Sequence, residues 1–88
     1  MGIQDEKVKA DLLRRLRRIE GQARGVARMV EEGRDCQEIL QQLAAIRAAA
    51  YQASVQLMRS FAFECIQAAD ESPEEMIEAL TRALAQIA

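Results

Sequence analysis

The chain has 88 residues, half of them hydrophobic, with one Tyr, two Phe, no Trp, no His and a net charge of −2. That length supports one small domain over residues 1–88 with an aliphatic core, and so short a chain buries little surface unless copies associate. The opening MGIQDEKVKADLL is charged and no apolar run reaches the ~20 residues that cross a bilayer, which argues against a leader or membrane span and for a cytoplasmic protein.

Helix one is expected from Asp5 to Glu32, ended by Gly33. Leu12, Leu16, Ile19, Ala23, Val26 and Val30 recur every three or four residues, the seam of a packed helix. Arg17, Gly21, Arg24 and Arg28 form a stripe opposite that seam, with Arg14 and Arg18 beside it and Arg15 at the apolar edge. Helix two begins at Asp35, which with Glu38 makes an acidic capping box. No Gly or Pro interrupts it before Pro73, so it runs to about Ala69, with Cys36, Ile39, Leu43, Ile46, Ala50, Leu57, Phe61 and Cys65 on its seam. SPEE opens helix three, with Ser72 as N-cap, Pro73 in the first turn and Glu75 closing a capping box. Met76, Ile77, Leu80, Leu84 and Ile87 supply its apolar side. With no strand pattern, repeat or linker, the class is all-α, a three-helix protomer.

The charge is uneven along the chain. Residues 1–50 hold ten Lys/Arg against eight Asp/Glu, whereas residues 51–88 hold two against six. Six arginines and one acid, Glu20, fall within residues 12–28, enough for an anion-binding face on an otherwise acidic protein. The same stripe also reads as a solvated face with intrahelical pairs, such as Glu20 with Arg24.

Cys36 and Cys65 are 29 residues apart. At about 100° per residue they return to one face within roughly 20°, but at 1.5 Å per residue they stand about 43 Å apart. One straight helix cannot join them, whereas an antiparallel copy brings Cys36 of one subunit level with Cys65 of the other, twice per dimer. On spacing alone, two buried apolar thiols remain an equal alternative.

RRLRRIEGQARGVARMVEEGRDC over residues 14–36, followed by ILQQLAAIRAA, resembles the copper-sensitive operon repressor (CsoR) family, along nearly the whole chain. The resemblance implies an antiparallel helical-bundle dimer, paired into a homotetramer, that represses transcription without a helix-turn-helix and leaves operator double-stranded DNA when an effector engages its cysteines. It places DNA contacts on Arg15 and Arg18, with Arg14 and Arg47 carried over by the same comparison. Arg17, Arg24 and Arg28 are added from the stripe. Arginines on one face suit charge-assisted phosphate contacts that weaken with salt.

Copper-sensing members resemble Cys, His, Cys, with the His four residues before the second Cys; Phe61 stands there instead. Nickel and cobalt sensing in the family uses imidazoles, which this chain lacks, and formaldehyde sensing uses a proline where Gly2 stands. Persulfide sensors of the family keep both thiols without the histidine, so the sequence is similar to that branch. Low-molecular-weight persulfides are then the effector, linking Cys36 and Cys65 of neighbouring subunits through di-, tri- or tetrasulfides. Cys36, in the first turn of helix two near Arg34, is the expected attacking thiol and Cys65, beside Phe61, the resolving one. No resident metal or cofactor is expected; the alternative is a Cu(I)-responsive repressor with Cys36 and Cys65 as a two-thiolate site. A sulfur carrier that has lost DNA binding, or a purely structural oligomer, leaves the arginines or the thiol register unexplained. No base-paired nucleophile or phosphate loop points to an enzyme.

Overall fold

The computed structural model describes residues 2–68 and 72–87, which form three helices: α1 (Glu6–Glu31), α2 (Cys36–Gln67) and α3 (Pro73–Ile87). Each boundary has a local chemical cause. Asp5 caps α1, its carboxylate accepting the Lys7 N–H at 2.8 Å. Beyond the last turn, Gly33 adopts φ 70°, and the N–H groups of Arg34 and Gly33 return to the carbonyls of Met29 and Val30. This is a Schellman stop, which uses up carbonyls that α1 would otherwise leave bare.

Asp35 caps α2 through the Gln37 N–H at 3.1 Å. Glu38, expected to close a box with Asp35, instead turns to Arg34, whose Nε donates to it at 3.0 Å. The charge-assisted pair outcompetes a neutral backbone donor. Ser72 accepts the Glu75 N–H at 3.2 Å at the start of α3, as the SPEE signature requires. The far end of α2 falls at Gln67 with Ala68 as C-cap; Ala69, where the sequence placed it, lies outside the described residues.

α1 and α2 lie antiparallel, so Lys7, Val8, Asp11 and Leu12 face Gln56 and Leu57 across a shared groove. α3 folds back along the second half of α2. The extents are 55 × 25 × 13 Å, and 13 Å is about one helix diameter, so the protomer is a single layer. Its radius of gyration is 17.0 Å, against about 12 Å for a compact domain of this length. Among the described residues only Val26, Ala53 and Cys65 are buried, while Leu13, Leu16, Val30, Leu40, Leu43 and Tyr51 are exposed.

The inner face of α1 is rotated from the predicted seam. Val8, Leu12, Arg15, Ile19, Gln22, Val26 and Met29 are the residues α2 shields, whereas Leu16, Ala23 and Val30 are exposed. At about 100° per residue the two centres differ by roughly 50°. The apolar stripe is wide because α2 fills only one edge of it. The same correction applies to α2, where Cys36, Leu43, Ala50 and Leu57 are exposed, and to α3, where Ile77 and Leu84 are exposed. No helix among the described residues is long and apolar enough to cross a membrane.

Candidate functional site: two thiols and an arginine face

α2 is unbroken between its two cysteines, so the thiols occupy opposite ends of one rod, about 43 Å apart. Cys36 is the first helical residue and is exposed; Cys65 lies in the last turn and is 2% exposed. On the helical wheel Cys36, Leu40, Leu43, Arg47 and Ala50 share one side of α2, continued by Ser54, Met58, Phe61 and Cys65. The first half of that side is open. The second half is more sheltered: Ser54, Met58 and Phe61 are half-buried and line an open cavity of about 720 Å³ with Ala83 and Ile87 of α3, and Cys65 is buried. Phe61 thus stands one turn from Cys65 on the sheltered side.

The N-terminal segment reaches the same region. The Gln4 N–H donates to Glu64 Oε1 at 3.2 Å, and Gly2 and Ile3 border the cavity beside Phe61. Nothing in the sequence signalled this fastening, which joins residues 60 positions apart.

The arginines of α1 divide into two groups. Arg17, Arg24 and Arg28 project from the side opposite α2, with Arg14 and Arg18 at its border, all of them exposed. Among the described residues none of Arg17, Arg18, Arg24 and Arg28 is in an ion pair. The Glu20–Arg24 pair that the solvated-face alternative offered is not formed, and among the described residues this side offers guanidinium groups outside any ion pair. Arg15 differs: it is rooted in the face toward α2, and its side chain is 33% exposed. Arg47 stands on α2, on the open side that carries Cys36, and is not brought to the α1 stripe.

Asp11, overlooked in the sequence, joins two of these arginines. Its Oδ2 accepts from Arg15 Nε at 2.9 Å and its Oδ1 accepts from Arg14 Nη2. The Arg15 hydrogen bond, opposed by partial burial and assisted by the charge of both arginines, holds the Asp11 carboxyl below its ordinary pKa of 3.8. A depressed carboxylate pKa favours the folded state above 3.8 and loses that contribution as pH falls through the lower folded value, so the tether is intact at neutral pH. The signal was available as Asp at i with Arg at i+3 and i+4. Inside the α1–α2 interface, Gln22 Oε1 is buried without a hydrogen-bond partner.

Residues 8–86 match the family described as metal-sensitive transcriptional repressors. The chain is 41% identical over 66 residues to the copper-sensing transcriptional repressor CsoR of Bacillus subtilis, covering 75% of this chain and 65% of that protein. It is 38% identical over 58 residues to the copper-sensing transcriptional repressor RicR of Mycobacterium tuberculosis, covering 66% and 60%. The match thus spans just under two thirds of the length of these two copper-sensing relatives. An uncharacterized protein in the bioA 5′ region of Serratia marcescens is 41% identical over 64 residues, covering 73% and 70%. In three dimensions the chain is similar to the nickel-responsive transcriptional regulator InrS, with a TM-score of 0.82 and 34% identity over 100% of this chain and 98% of that one. With the sequence matched over residues 8–86 and the three-helix fold shared, the chain belongs to the metal-sensitive transcriptional repressor family.

Proposed function

We propose that this member is a DNA-binding repressor released by persulfides. The observation that carries the reading is the pair of thiols on one side of an unbroken α2, in a chain without histidine to complete a metal site. The open apolar strips on α1 and α2 call for a second layer, and an antiparallel copy supplies it. Cys36 then lies level with Cys65 of the partner subunit. The exposed arginines of α1 stay on the outer side of this dimer and provide the phosphate contacts.

The chemistry needs only a persulfide donor, RSSH. The Cys36 thiolate attacks the sulfane sulfur, forming Cys36–S–SH and releasing the thiolate RS⁻. The thiolate of Cys65 of the partner subunit attacks the Cys36 sulfur, forming a disulfide and expelling HS⁻. Where both cysteines carry a persulfide, attack of one terminal sulfur on the inner sulfur of the other releases HS⁻ and leaves a trisulfide. Because Cys65 is 2% exposed, the second step requires its surroundings to open. That opening couples the covalent link to the helix arrangement, and the linked dimer holds its arginines in a register unsuited to DNA.

The test is intact mass under non-reducing conditions after glutathione persulfide is added to reduced protein. Wild type yields dimer-mass species consistent with disulfide or polysulfide links, while Cys36→Ala and Cys65→Ala both lose them. Neither crosslink nor added sulfur in wild type rejects the proposal. Two copper-sensing relatives favour one second reading, a Cu(I) site of Cys36 and Cys65 of the partner subunit as two thiolates. Stoichiometric Cu(I) binding that survives a strong chelator and releases DNA selects it.

A further inference from the structure

Arg15 is the one α1 arginine whose side chain starts inside the α1–α2 seam; the other five are exposed. A long cation rooted among Leu12, Ile19 and Val26 has two courses. It lies along the groove near Gln56 and Leu57, or it is drawn outward by a counter-charge. Asp11 is that counter-charge, placed one turn earlier and displaced on the wheel toward Arg14 and Arg18.

The geometry of the pair matters as much as its charge. Asp11 takes the Nε–H of Arg15 and one Nη2 hydrogen of Arg14. Among the described residues, neither Nη group of Arg15 is hydrogen-bonded, so the edge that carries both remains available. That edge is the one that binds an anion in bidentate fashion. One carboxylate therefore sets two neighbouring guanidinium groups side by side with donors still available.

We infer that Asp11 is a positioning residue for DNA recognition: by tethering Arg14 and drawing Arg15 out of the helix seam, it builds a two-arginine clamp for duplex DNA in one register. The inference rests on the α1 arginine face being the DNA surface. Charge and positioning make opposite predictions for Asp11→Asn. Removing a negative charge strengthens binding to every duplex. Losing the tether weakens the duplex that needs the clamp and spares the others.

The experiment uses the full chain and two probes of equal length: a duplex enriched from a random-sequence library by the wild-type protein, and an unselected duplex. Asp11→Asn is expected to lose roughly five- to tenfold in affinity for the enriched duplex, the scale of one bidentate contact. Binding to the unselected duplex holds or tightens. Asp11→Glu, which keeps the charge and the reach, retains most of the discrimination, a rescue that generic helix stabilisation does not predict. In an Arg14→Ala/Arg15→Ala background, Asp11→Asn causes no further loss of discrimination. Equal tightening of both probes, or no change in either, overturns the clamp while leaving the DNA reading intact. If wild type enriches no duplex, the DNA reading fails and the clamp fails with it.

Discussion

Cys36 and Cys65 belong to the same helix and nearly the same face, yet solvent meets only one of them. A helix-terminal thiol at the surface reacts at its own rate, whereas one at 2% exposure reacts only when its surroundings open. Brief treatment of reduced native protein with iodoacetamide is expected to alkylate Cys36 about tenfold or more faster than Cys65. Peptide mass spectrometry over a time course reads the two rates, and urea should erase the difference. Equal native rates would mean that Cys65 is not protected, removing the reason to assign it the resolving role. Phe61, one turn before Cys65 on the same side of α2, is half-buried.

The helices are held at their ends by backbone chemistry and along their lengths by little else. Gly33 is the clearest case, because φ 70° is left-handed and a Cβ there would meet nothing within 4 Å. The penalty of Gly33→Ala is therefore conformational rather than steric, about 1–2 kcal/mol. Gly21 and Gly25 are also open to a Cβ but lie inside α1 with ordinary helical φ. There Ala replaces Gly with a gain of roughly 0.5–1 kcal/mol to the protomer. Urea denaturation of the three variants should show opposite signs for Gly33 and the other two. A destabilised Gly21→Ala or Gly25→Ala would mean that another surface packs closely on that side of α1.

At the scale of the molecule, a layer 13 Å thick has two faces and no interior between them. The exposed Leu16, Val30, Leu40, Leu43 and Tyr51 are too many large apolar groups to be left in water by a stable chain of 88 residues. Stability is then shared between folding and association. Thermal midpoints should rise with protein concentration, as mass action requires when the assembled form is the stable one. Circular dichroism melts over a hundredfold dilution series check this, with Leu43→Glu expected to lower the midpoint and abolish the dependence. A concentration-independent midpoint for wild type would show that the single layer is stable alone.

Three helices, the Asp35 and Ser72 N-caps and the 29-residue thiol spacing were legible in the sequence because each depends on neighbours close along the chain. The Schellman stop at Gly33 and the Ser72 cap are local in the same sense. Which part of each apolar stripe faces inward was not legible. Periodicity shows that Leu16, Ala23 and Val30 share a stripe with Leu12 and Val26, but not how many neighbours divide it. Two-dimensional packing alone settled that α2 takes the Leu12–Val26 edge and leaves the other open. The contrast between exposed Cys36 and buried Cys65 was likewise not legible, since the two thiols share a helix and nearly a face and differ only in what packs around them. So the sequence by itself determined the helices, the arginines and the thiols, and the tertiary structure decided which of them are sheltered, because burial depends on partners that are distant along the chain.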